Sequence, residues 1–96
     1  MGDARILIVE DEFLSWQLLQ SYVAEYGGAE VAVDGEEAIR KVEAAYEAGR
    51  PFYLVFMDIV LPRLDGQAAI LAIREYESSR AVPRGERCKI VLTTAP

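Results

Sequence analysis

The chain contains no histidine at all, which excludes a His-based triad, a histidine metal site and a histidine general base. Its one cysteine, Cys88, cannot form an internal disulfide, and this favours a reducing compartment. Lying just ahead of the apolar run Ile90-Val91-Leu92, Cys88 reads as a buried thiol rather than a reactive one. No apolar stretch approaches the ~18 residues of a membrane span, and Met1-Gly2-Asp3-Ala4-Arg5 lacks the apolar core of a secretory signal. The chain therefore reads as cytoplasmic. Positive charge is also scarce: ten Lys and Arg against sixteen Asp and Glu give −6, and no basic cluster stands out. Direct nucleic-acid binding is not expected on that balance; a cation or a basic partner surface is the natural complement. No Gly-x-Gly-x-x-Gly follows the first apolar run, so dinucleotide binding fails as well.

What is present fits one soluble domain of 96 residues, 52% hydrophobic and 27% charged. Its most informative feature is an apolar run, Tyr53-Leu54-Val55-Phe56-Met57, that stops on Asp58. The run Ile6-Leu7-Ile8-Val9 stops in the same way on Glu10-Asp11-Glu12. Short runs of β-branched and large apolar residues read as strands buried on both faces. Between them the pattern changes period. A helix is predicted over 13–26, with Leu14, Leu18, Leu19, Tyr22, Val23 and Tyr26 at helical spacing and Gly27-Gly28 as its stop. A short strand is predicted over 30–33. Asp34 and Glu37 then offer a capping box for a helix that carries Ala38, Ile39, Val42, Ala45 and Tyr46 on one face and closes at Gly49 and Pro51. A strand over 52–57, a helix over 67–78 with Ile70, Ile73 and Tyr76 inward, a polar loop over 80–87 and a strand over 89–93 complete the series.

Strand–helix alternation with short connections predicts an α/β domain: a doubly wound parallel sheet with helices on both faces. Ligands in such folds sit beyond the carboxyl ends of the strands. Glu10, Asp11 and Asp58 all lie at such ends, and they converge if the first and third strands are neighbours. Gathered carboxylates cost free energy unless a cation or a reaction uses them. With no basic residue beside them, they favour a hard divalent ion such as Mg²⁺. A carboxylate beside that ion can act as nucleophile toward a phosphoryl group. Asp58, projected alone between apolar neighbours, is the candidate nucleophile, and Glu10 and Asp11 the candidate metal ligands. The plainer alternative is that Asp11 caps the first helix and Asp58 satisfies loop amides ahead of Pro62.

Ile6 to Glu12, the segment Leu54 to Gly66, and the ending Ile90-Val91-Leu92-Thr93-Thr94-Ala95 together resemble the receiver domain of two-component response regulators. The resemblance covers essentially the whole chain and implies a flavodoxin-like receiver fold. It implies that Asp58 is the phosphoacceptor and that Asp11 ligates Mg²⁺ directly, with Glu10 helping through water. The backbone carbonyl of Val60 would complete the protein ligands. Thr94 would hydrogen-bond the phosphoryl oxygen as the switch residue, with Thr93 the competing hydroxyl, and Pro62 and Gly66 would shape the intervening loop. The implied activity is that of a signalling phosphoacceptor rather than an enzyme, with a sensor histidine kinase or phosphotransfer protein as partner. Two other readings remain in view. One is a receiver-like interaction module that works without phosphorylation. The other is an aspartate-nucleophile phosphatase, which Val60 opposes because those enzymes carry a second aspartate there.

The family pattern continues with a fourth helix, a fifth strand ending in a lysine, and a fifth helix. None of these is found in residues 1–96, so the resemblance implies a receiver domain incomplete at its C-terminus. Lys41 and Lys89 lie at positions unsuited to replace that lysine. The fourth strand is then expected as an unpaired edge, and the first helix should expose apolar surface. A homodimer formed by segment exchange or edge-strand pairing is one expected consequence. Of the remaining residues, Glu12 is expected to open the first helix, Phe13 and Trp16 to serve packing, and Arg63 and Arg74 to be solvated charges.

Overall fold

The computed structural model describes residues 4–58, 60–61 and 64–93. Four strands, β1 (Ile6–Val9), β2 (Ala29–Ala32), β3 (Leu54–Asp58) and β4 (Lys89–Thr93), form one sheet in the order β2-β1-β3-β4, every pair parallel. Three helices, α1 (Phe13–Val23), α2 (Gly35–Glu47) and α3 (Gly66–Ser79), make the crossovers, and a 3₁₀ turn (Arg84–Glu86) precedes β4. This is the doubly wound α/β architecture that the alternation predicts. No helix among the described residues is long and apolar enough to cross a membrane.

The period-2 geometry of β1 divides the core. Leu7 and Val9 face α2 and α3, where Ala38, Val42, Ala45, Val55, Met57, Ala69 and Ile73 complete the larger cluster. Ile6 and Ile8 face α1 and pack with Val23, Trp16, Leu19, Leu54 and Phe56. Both faces of β1 are thus covered, which is why that strand reads as an unbroken apolar run.

The helix starts follow the local chemistry. Asp34 accepts the Glu37 N–H at 2.8 Å, and the Glu37 carboxylate reaches back to the Val33 N–H at 2.9 Å, one residue earlier than a standard capping box. Asp65 caps α3 by accepting the Ala68 N–H at 2.8 Å. Gly35 is required by close approach: a Cβ there would lie 2.3 Å from the Leu64 carbonyl oxygen. That contact, with the half-buried Leu61 and Leu64, fastens the segment after β3 against α2.

Some expectations change. The first helix ends at Val23, three residues before Tyr26. Gly27 is therefore not its stop; it permits a close approach instead, since a Cβ there would meet the Ala4 carbonyl oxygen at 1.9 Å. The inward face of α1 is Trp16, Leu19 and Val23, while Leu14, Leu18 and Tyr22 are exposed. Broad exposed apolar surface on that helix was expected and is found. Among the described residues β4 pairs on one side only, so it forms an edge, as expected.

Candidate functional site

Adjacency of β1 and β3 is the step that makes the site. Their register pairs Val9 with Met57, so Glu10 and Asp58 emerge side by side from the carboxyl ends of neighbouring strands. Carboxylate oxygens of Glu10, Asp11 and Asp58 lie within 4.8 Å of one another. Asp58 is 2% exposed and Glu10 5%, whereas Asp11 is open to solvent. The three acids, with Glu12, Phe13 and Val60, line a cavity of about 480 Å³.

Glu10 is buried without a counter-charge among the described residues. Its carboxyl is pushed up to about 7, first by burial and further by the neighbouring charges of Asp58 and Asp11, against the opposing hydrogen bond from the Glu12 N–H. Among the described residues, the ion pairs engage Arg5, Lys41 and Arg74, and none reaches these three acids. The donor set is hard oxygen only, converging and uncompensated. It fits a divalent cation of the Mg²⁺ type that keeps part of its hydration shell.

The capping alternative accounts for one bond. The Val60 N–H donates to Asp58 Oδ1 at 3.0 Å, holding the rotation of that carboxylate. Asp11 is not the cap of α1: Glu12 occupies that N-cap and accepts the Ser15 hydroxyl at 2.7 Å. Phe13 and Trp16 meet edge to face at 4.8 Å, an arrangement of packing rather than ligand stacking. Thr94 lies outside the described residues, as do Pro62 and Arg63. Thr93 stands opposite Asp58 in the β3–β4 register, so β4 delivers that one hydroxyl residue to the same end of the sheet. Lys89, at the start of β4, pairs with Leu54 and is remote from Asp58.

At the opposite end of the sheet the structure holds a second carboxylate centre that sequence reasoning missed. Glu77 is fully buried and accepts from the Tyr46 hydroxyl, Arg74 Nη1 at 2.7 Å, the Cys88 N–H at 3.0 Å and the Cys88 thiol at 3.2 Å. Arg74 also donates to the Cys88 carbonyl at 2.9 Å, so it is a tie between α3 and β4 rather than a solvated charge. Cys88 is buried as expected, and burial with the adjacent Glu77 pushes its thiol up to about 12. A signal was available. Glu77 falls four residues after Ile73 and eight after Ala69, on the buried stripe of α3. The structure also gathers Arg74, Arg84, Arg87 and Lys89 around one cleft, although sequence reasoning singled out no basic cluster.

A family model described as the response regulator receiver domain matches residues 6–95. Transcription factor prr1 of Schizosaccharomyces pombe is 35% identical over 79 residues, covering 81% of this chain and 14% of that protein. Chemotaxis protein CheY of Treponema pallidum is 38% identical over 81 residues, covering 81% of this chain and 54% of that one. Among solved structures, the receiver domain of the histidine kinase CKI1 from Arabidopsis thaliana, complexed with Mg²⁺ and BeF₃⁻, aligns at a TM-score of 0.82. Its identity is 30%, over 99% of this chain and 69% of that one. The chain thus spans about half of the chemotaxis relative and a seventh of the transcription factor.

Proposed function

The chain belongs to the response regulator receiver domain family, and from that membership we propose that Asp58 accepts a phosphoryl group from a histidine kinase or phosphotransfer protein. The observation that carries this reading is the convergence of Glu10, Asp11 and Asp58 on one solvent-facing cavity without a basic partner among the described residues. In the transfer the donor's N–P bond breaks and an O–P bond forms on an Asp58 carboxylate oxygen. The electron pair of the broken bond stays with the imidazole, which leaves neutral with a proton on its other ring nitrogen.

Glu10, Asp11, Asp58 and the Val60 carbonyl would hold Mg²⁺. Bound there, Mg²⁺ supplies neutralisation of charge on the phosphoryl oxygens. Val60 orients Asp58 through its N–H, while the apolar strand beneath keeps water from the inner side of the carboxylate. Thr94 would then hydrogen-bond the attached phosphoryl group and relay its presence to the partner surface. The domain is a signalling phosphoacceptor, catalysing at most its own modification and hydrolysis.

A second reading, an interaction module that works without phosphorylation, is favoured by one observation. Neither Lys41 nor Lys89 is near Asp58: Lys41 lies by Glu30 and Glu37, and Lys89 opens the far end of β4. Incubation with Mg²⁺ and a small phosphodonor separates the two. Mass spectrometry is expected to find an acid-stable, base-labile phosphoryl adduct that Asp58→Asn abolishes; its absence in a longer form of the chain as well would leave the interaction module.

A homodimer also follows from this reading, supported by the exposed Leu14, Leu18 and Tyr22 of α1 and by the half-paired β4, where Val91 and Leu92 are exposed. Pairing of edges or exchange of segments would bury these surfaces. Light scattering after size exclusion is expected to give twice the chain mass, and a stable monomer would end that part of the proposal. A cytoplasmic setting agrees with the buried free thiol of Cys88.

A further inference from the structure

Five of the ten Lys and Arg residues fall between positions 74 and 89 of this acidic chain. The fold draws four of them, Arg74, Arg84, Arg87 and Lys89, around a cleft of about 300 Å³ floored by Cys88. The cleft lies at the amino-terminal end of β4, the opposite end of the sheet from Asp58.

Two of these side chains are already held in place. Arg87 Nε donates to the Val82 carbonyl at 2.9 Å, and Arg74 Nη1 is bound to both Glu77 and the Cys88 carbonyl. Anchoring one edge of a guanidinium fixes the direction of its remaining N–H groups and lowers the entropy lost when they meet a ligand. The Glu77 carboxylate neutralises Arg74. Among the described residues, Arg84, Arg87 and Lys89 have no carboxylate within ion-pair distance. The loop is itself held by a Schellman-type turn, with the Val82 N–H donating to the Glu77 carbonyl at 2.9 Å and the Ala81 N–H to the Ser78 carbonyl at 3.0 Å. Arg84 and Arg87 meet at the cleft without a counter-charge, Lys89 adds a third positive charge although its ammonium lies over the Tyr53 ring at 5.5 Å, and the three repel each other unless an anion joins them.

We propose that the cleft formed by Arg74, Arg84, Arg87 and Lys89 binds a multiply charged anion of the phosphate class. Guanidinium forks suit phosphate oxygens bidentately, and the mixture of planar forks with one ammonium suits a di- or triphosphate better than a lone carboxylate. The volume accommodates a group of that size. This site is independent of the chemistry at Asp58.

The test is a titration of the ¹⁵N-labelled chain with pyrophosphate in EDTA at low salt, with inorganic phosphate and a hexaglutamate peptide as parallel probes. Saturable shifts confined to the amides of 84–89 are expected, with pyrophosphate binding tighter than phosphate. Arg84→Gln, at an exposed position whose side chain makes no hydrogen bond or ion pair among the described residues, is expected to weaken pyrophosphate about tenfold, and Arg84→Gln with Lys89→Gln further still. Arg40→Gln, on the exposed side of α2, should change nothing. Shifts scattered over all arginines, or equal affinity in the Arg84 variant, would overturn the site. Tighter binding of hexaglutamate than of pyrophosphate would overturn it in favour of an acidic protein surface.

Discussion

Buried carboxylates stand at both ends of this sheet, and they are treated in opposite ways. At the amino-terminal end, burial alone would raise the Glu77 carboxyl, but hydrogen bonds from Tyr46, Arg74 and Cys88 outweigh it and hold the group below its ordinary range. At the carboxyl-terminal end, Glu10 is buried beside Asp58 with no basic side chain among the described residues to offset it, and its carboxyl rises to about 7. One carboxylate is saturated and ties α2, α3 and β4 together. The others are left short of positive charge. A fully satisfied acid is a structural joint, and an unsatisfied cluster is a place where a cation or a reacting group has been left room.

The comparison breaks most sharply on substitution of each acid. Asp58→Asn is expected to abolish the phosphoryl adduct completely while leaving thermal stability equal or higher, since it removes one of three mutually repelling charges; mass spectrometry and a melting curve read both. Glu77→Ala should do the reverse. It is expected to lower the unfolding free energy by about 3 kcal/mol in urea titrations, because it strands the donors of Tyr46, Arg74 and Cys88. Molecules that remain folded should still be phosphorylated.

The pH dependence of stability should likewise have opposite signs at the two ends. Glu10 has a raised folded-state pKa, so its contribution is fully present below about 4.5 and is lost as pH climbs toward about 7. Mg²⁺ requires the deprotonated acids, so the melting-temperature gain on adding Mg²⁺ should grow across that same window and shrink in Glu10→Gln. Glu77 has a lowered pKa; its contribution is present above the ordinary carboxylate value and disappears as pH falls through the folded value. Glu77→Gln should flatten that acid limb. Smaller effects sharpen the picture. Tyr46→Phe removes one donor from Glu77 and should cost about 1 kcal/mol. Ala81, held at a φ of 55° after α3, is expected to gain about 0.5 kcal/mol as Ala81→Gly, with Asp58 chemistry unchanged.

The Asp58 end was legible because it depends on short-range pattern. Apolar runs terminated by acids identify the strand ends, and alternation with helices implies a parallel sheet whose ligands sit there. The Glu77 end was obscure for the matching reason. Its participants are separated by as many as 42 positions, from Tyr46 to Cys88, and each looks ordinary in its own segment. Glu77 lies in the polar Glu75-Tyr76-Glu77-Ser78-Ser79 stretch, which masks its place on the stripe of Ala69 and Ile73. The α1 face misled in a different way: Leu14, Leu18 and Tyr22 have the spacing of a buried stripe, yet the sheet contacts Trp16, Leu19 and Val23, rotated around the helix. Periodicity identifies a helix, but it does not say which of two apolar stripes meets a neighbour.

The alternation of strands and helices, the cap at Asp34 and the acids at the ends of β1 and β3 follow from the sequence alone. Each of these rests on interactions within a few residues or on a period of burial. That β1 lies beside β3, so that Glu10, Asp11 and Asp58 meet, and that Tyr46, Arg74, Glu77 and Cys88 close around one buried charge, was settled by three-dimensional packing. Strand order and side-chain convergence depend on contacts between segments far apart in the chain, and the electrostatic state of a carboxylate follows from whatever those contacts bring near it.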